Sequence, residues 1–132
     1  MYELLPHTAD IRLRVTAESF EELFADAMHG MYAAMRAHPD GGAVQRVIRV
    51  DDSADTTSLL VDFLNEVLAR AHVARELFTA VRFTRLEERS LEAELTGVAP
   101  ASFDEDVKAV TYHEADVRRD GDRWTTTLVF DI

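Results

Sequence analysis

The amino-acid sequence predicts a single α+β domain over residues 1–132, a two-layer structure with two amphipathic helices packed on a mostly antiparallel sheet of about six to seven strands. Three observations predict it. Two long segments carry apolar residues at helical spacing on one face only, the other hydrophobic segments alternate with period two, and short turn signals join the later strands as hairpins. At 132 residues, 47% of them hydrophobic, the chain falls in the size range of one core-forming domain. No internal repeat, linker or low-complexity segment interrupts it.

Taken in order, Ile11, Leu13 and Val15 alternate with Arg12, Arg14 and Thr16, the pattern of a strand with one buried face, and Asp10 stands at its entrance. Ser19 and Glu22 form a capping box. The first helix follows, with Phe20, Leu23, Phe24, Ala27, Met28, Met31, Tyr32 and Met35 in one stripe. It is expected to end before His38-Pro39-Asp40-Gly41-Gly42, which reads as a turn. Val44, Ile48 and Val50 predict a second strand. The polar run from Asp51 to Thr57 offers N-cap residues for a second helix that buries Leu60, Phe63, Leu64, Val67, Leu68 and Ala71. Val81 and Phe83 lie in one later strand and Leu91, Ala93 and Leu95 in another, with a hairpin turn over Glu87-Glu88-Arg89-Ser90. Residues Val98 to Glu105, containing Pro100, read as a loop. Val110 to Arg118 and Arg123 to Asp131 form the last pair around Asp120-Gly121-Asp122.

Acidic residues outnumber basic ones 25 to 14, for a net charge of −11 and a pI near 4.7. Such a surface repels phosphate backbones, so autonomous RNA or DNA binding is not expected, and any service to nucleic-acid chemistry would run through a basic partner. The absence of cysteine removes disulfides, thiolate nucleophiles and zinc-thiolate sites. The segment Met1-Tyr2-Glu3-Leu4-Leu5-Pro6 lacks the basic start and apolar run of a signal peptide, and no run of about 18 apolar residues exists, so a cytoplasmic protein without membrane contact is expected. Thirteen of the fourteen basic residues are arginine, and Lys108 is the one lysine.

Asp10 and Asp131 stand at the ends of strands that lie almost a whole chain apart. Should those ends meet, the two carboxylates and the terminal carboxylate of Ile132 would give a set of hard oxygen donors of the kind calcium and magnesium take. Two solvated strand-end aspartates are the plainer alternative. His7 could orient Asp10 or join metal chemistry, or be a hydrogen-bonded structural histidine. The remaining histidines are scattered, with no pair at i, i+4 spacing to bind zinc. In Lys108-Ala109-Val110-Thr111-Tyr112-His113, alternation puts Lys108, Val110 and Tyr112 on one face and Ala109, Thr111 and His113 on the other; a decorated edge strand accounts for it equally. Asp62 and Glu66 are a like-charge i, i+4 pair beside Asn65, which fits a solvated helix face and fits a partner's basic surface better. GxSxG, phosphate-cradling glycine loops and HExxH are all missing.

Four separated segments and the chain's end nonetheless follow one known order. HTAD at His7 to Asp10, EELFADAMHGM at Glu21 to Met31, LLVDFLNEVL at Leu59 to Leu68, KAVTYH at Lys108 to His113 and the closing Phe130-Asp131-Ile132 resemble the archease family over nearly the whole chain. That resemblance implies a non-catalytic, chaperone-like protein cofactor of an RtcB-type RNA ligase. Such a cofactor promotes guanylylation of the ligase's histidine and multiple turnover in tRNA splicing, tRNA processing and RNA repair, with RNA touched only through the ligase. It implies a divalent cation, calcium first and magnesium or manganese as alternatives, on Asp10, Asp131 and the Ile132 carboxyl end. Lys108 matches the family's functionally sensitive lysine, and His113 and His7 are its neighbouring candidates for partner activation. The segment Gly97 to Val107 departs from the family by being shorter and less basic. A general chaperone-like binding module and a divalent-metal-dependent hydrolase with His7 as base are the rival readings.

Overall fold

The alternation at Ile11, Leu13 and Val15 does produce a strand, and what it pairs with sets the architecture. The computed structural model describes residues 1–5 and 10–132. Those residues form β1 (Tyr2–Leu5), β2 (Asp10–Ala17), α1 (Phe20–Ala34), β3 (Ala37–Val50), α2 (Thr56–Ala74), β4 (Leu77–Leu86), β5 (Leu91–Phe103), β6 (Ala109–Thr111), β7 (Arg118–Asp120) and β8 (Arg123–Asp131). The α+β class holds, with two helices on antiparallel strands. The strand number does not: the described residues give eight strands in two sheets, one in the order β1-β2-β8-β6 with β7 also on β8, the other β3-β5-β4. Every pairing is antiparallel.

Both helices contact strands of both sheets, so one core serves the whole structure. Leu13, Val15, Leu128 and Phe130 enter it from the five-stranded sheet, and Ile48, Leu91, Ala93 and Leu95 from the three-stranded one. The helix stripes read from the sequence are the buried ones, except that Phe20 is half-buried and stacks on Trp124 with 4.3 Å between ring centroids. Phe24, Phe63 and Phe83 meet at centroid distances of 5.7 to 6.0 Å where helices and sheet join. Ser19 caps α1 by accepting the Glu22 amide at 3.2 Å, while the Glu22 carboxylate accepts the Glu18 amide at 3.1 Å, one residue before the reciprocal arm of a capping box. Asp55 caps α2 by accepting the Ser58 amide at 2.7 Å, and that bond holds its carboxyl below the usual aspartate range.

Three sequence expectations are corrected by strand pairing. His38 to Gly42 is the first part of β3, not a turn. β3 is an edge strand, where a proline's missing N–H is tolerated, and its register shifts between Pro39 and Gly42. Val98 to Phe103 is strand β5, not loop; Pro100 falls inside that same register shift, between Ala99 opposite Gly42 and Ala101 opposite Pro39. Gly41 is needed there for close approach, since a Cβ would stand 2.0 Å from the Ala99 carbonyl oxygen. Val110 to Arg118 divides into β6 and β7, separated by a turn in which the Ala115 amide donates to the Tyr112 carbonyl at 3.1 Å. Tyr2–Leu5, which carried no strand expectation, forms β1 against β2.

Candidate functional site

β2 and β8 pair in a register that sets Asp10 directly opposite Asp131, followed by Ile11 opposite Phe130 and Leu13 opposite Leu128. Because Leu13, Leu128 and Phe130 are fully buried, alternation turns Asp10 and Asp131 to the outer face. Directly opposed residues on one face have Cβ atoms roughly 5 Å apart. The two carboxylates that the sequence separates by almost the whole chain are therefore cross-strand neighbours. Asp10 is half-buried and Asp131 exposed.

β6 extends the row on the other side of β8. Ala109 lies opposite Asp131, and the Lys108 amide donates to the Asp131 carbonyl at 2.8 Å. Lys108 thus sits at the same end of the sheet, exposed, with Ile132 following Asp131 and also exposed. Two residues along the outer face from Asp10, Arg12 pairs with Glu114 at 2.7 Å, which engages the nearby guanidinium.

What holds β6 in place is the helix side chain that sequence reasoning assigned to a partner or to solvent. Asn65 Nδ2 donates to the Val110 carbonyl at 2.9 Å and Asn65 Oδ1 accepts the Val110 amide at 2.9 Å. Asp62 accepts the Ser53 hydroxyl at 2.7 Å and the Tyr112 hydroxyl, so its like-charge spacing to Glu66 is offset by internal donors. The bond to Asp62, with partial burial, pushes the Tyr112 phenol up from its ordinary value. His72 Nε2 lies 2.9 Å from the Val107 carbonyl, a second tie just ahead of Lys108. A signal for Asn65 was available: it stands four residues after Val61 and three before Leu68, on the buried side of a helix where asparagine is a poor former.

Of the residues singled out from sequence, the structure brings Asp10, Asp131, Ile132 and Lys108 to one end of the five-stranded sheet. His113 lies in the turn beyond the far end of β6 and does not join them. His7 falls outside the described residues. Among the described residues no group of three or more His, Cys, Asp or Glu gathers at metal-binding distance. A cation here would draw on two aspartates and solvent, an all-oxygen set that suits hard divalent ions. Like charges directly opposite each other destabilise a strand pair, so the donor chemistry fits a positive partner.

Two antiparallel sheets sharing a core with two helices, an excess of negative charge, and paired carboxylates at a strand end define a small acidic α+β protein with an oxygen-rich tip. The chain belongs to the archease family: the model of the Archease protein family matches residues 2–132. It is 31% identical over 140 residues to the archease of Methanosarcina barkeri, covering 99% of this chain and 95% of that protein. The Pyrococcus furiosus archease is 31% identical over 147 residues, covering 99% and 98%. Among solved structures, the Thermotoga maritima archease, described as a possible chaperone, superposes with a TM-score of 0.70 at 24% identity, over 100% of this chain and 98% of that one. A protein of Methanobacterium thermoautotrophicum shares the fold with a TM-score of 0.69 at 21% identity, over 99% and 98%. No described helix is long and apolar enough to cross a membrane.

Proposed function

We propose that this chain is a non-catalytic protein cofactor of an RtcB-type RNA ligase, acting in the cytoplasm to promote guanylylation of the ligase's histidine and repeated RNA joining in tRNA splicing and repair. The observation that carries this reading is the register placing Asp10 opposite Asp131 with the Lys108 amide on the Asp131 carbonyl. Asp10, Lys108 and Asp131, from three segments of the family resemblance remote in sequence, meet at one end of the sheet. Asp10, Asp131 and the Ile132 carboxylate would hold a divalent cation, calcium first, which supplies positive charge beside a nucleotide triphosphate. The aspartates fix where that charge stands, and positioned charge is where phosphoryl transfer gains most. Asn65 and His72 fix the strand and loop that carry Lys108, leaving its ammonium group to meet the ligase or its nucleotide. The net charge of −11 supports a division in which the ligase, not this chain, holds the RNA.

The test is ligase guanylylation and multiple-turnover joining of RNA ends, with no addition, with this protein, and with its Asp10→Ala and Asp131→Ala variants. Stimulation by the native chain and none by either variant is expected. Full stimulation by both variants overturns the site, and none by the native protein at any divalent-ion concentration overturns the ligase role. The description of the Thermotoga maritima relative as a possible chaperone favours a broader protein-binding reading as the second, which would then be measured as suppression of heat-induced aggregation.

A further inference from the structure

At the opposite end of β2 from Asp10, where Ala17 lies opposite Trp124, the N-terminal ends of α1 and α2 and the β4–β5 hairpin enclose a cleft of about 510 Å³. Phe20, Phe24 and Leu86 form its apolar floor, and Glu21, Glu87 and Glu88 stand around it. No Lys, Arg or His lines it. We infer that this cleft docks a basic protein segment that inserts a large apolar or aromatic side chain between flanking arginines or lysines.

Charge decides the occupant. Glu87 lies 4.0 Å from Arg85, which offsets part of its charge, whereas Glu21 and Glu88 have no ion pair with any described residue. Helix N-termini ordinarily attract anions, but Ser19 and Asp55 already take first-turn amides of α1 and α2 for their own caps. An anionic ligand therefore meets glutamates, and a cationic rim meets complementary charge. A second copy of a chain with net charge −11 is repelled by the same rim. Seven residues of β2 separate the cleft from the Asp10 end, on the order of 23 Å, so the two surfaces are occupied independently. The inference stands whether or not the partner is a ligase.

The test is titration of the isotope-labelled protein with the peptide Arg-Arg-Trp-Leu-Arg-Arg, followed by amide chemical shifts. Shifts confined to Glu21, Thr56 and the Leu86 to Glu88 turn are expected, with affinity falling as salt rises. Affinity should drop roughly tenfold or more in the Glu21→Lys, Glu88→Lys double variant and when serine replaces the peptide's tryptophan, and should be unchanged in Asp131→Ala. The Glu21→Gln, Glu88→Gln variant gives an intermediate loss without charge reversal in the first turn of α1, which separates lost docking from a weakened helix. Shifts centred on Asp10 and Asp131 or spread over the acidic surface, equal binding by the serine peptide, concentration-dependent self-association through the cleft, or no saturable binding at millimolar peptide would each overturn it.

Discussion

On the outer face of the three-stranded sheet Arg82 lies opposite Glu94 and Arg49 opposite Glu92, with guanidinium-to-carboxylate distances of 2.5 and 2.6 Å. On the outer face of the five-stranded sheet Asp10 lies opposite Asp131. All three are directly opposed antiparallel pairs, and their chemistry is opposite. Where only the sheet is at stake, this protein sets opposite charges across from each other, which stabilises. The two carboxylates facing each other repel, so this cross-strand pair itself adds nothing to the pairing of β2 with β8.

The comparison can be broken most decisively by function. Asp10→Ala and Asp131→Ala are expected to abolish stimulation of an RtcB-type ligase, and Asp131→Ala to leave the metal-free melting temperature unchanged or higher, read by joining assays beside thermal denaturation. A large fall in melting temperature would return Asp131 to a structural role. The next effect in size concerns the strand that completes the tip. Asn65→Ala removes both bonds to the buried Val110 backbone and should cost about 2–3 kcal/mol, or roughly 10 °C in melting temperature, with ligase stimulation falling in parallel.

How much of this was legible beforehand varies by element. The helices were, because each buries one stripe and carries its own cap within four residues. Asp10 and Asp131 were legible as strand-end carboxylates, but their meeting depends on a register between strands at opposite ends of the chain, which local pattern does not encode. The continuation of β5 through Pro100 was hidden because a proline reads as a strand breaker until the matching irregularity at Pro39 to Gly42 is seen across from it. Helical periodicity places Asn65 beside buried Val61 and Leu68 but does not say which backbone it ties, because that partner lies in another element.

A smaller effect separates local capping from the two sheets. Asp55→Ala should cost about 1 kcal/mol at neutral pH. The Asp55 carboxyl is held below its usual range in the folded state, so its contribution is present above an unfolded-chain pKa near ~3.9 and is lost as pH falls through the lower folded value. The gap between native and variant stability should therefore close below about pH 4, measured by denaturant titration at several pH values. Asp55→Asn, which caps without titrating, should keep its advantage over Asp55→Ala throughout. The smallest effects complete the comparison between the pairs. Glu94→Ala should destabilise by less than about 1 kcal/mol, as an exposed pair does. Asp131→Lys should stabilise the metal-free protein by a few tenths of a kcal/mol, fading with added salt. A stabilisation by Glu94→Ala would remove the contrast between the two sheets.

β6 ends its sheet, and a sheet's last strand ordinarily offers open amides and carbonyls on which another chain can crystallise as an extra strand. Here Val110 gives both its amide and its carbonyl to Asn65, so a side chain from α2 occupies the place a neighbouring strand would take. The three-residue border beside Lys108 is closed to strand addition and to the sheet-to-sheet growth that leads to fibrils. A partner that approaches the β6 edge must therefore read side chains, because the outward main chain of Val110 is already taken.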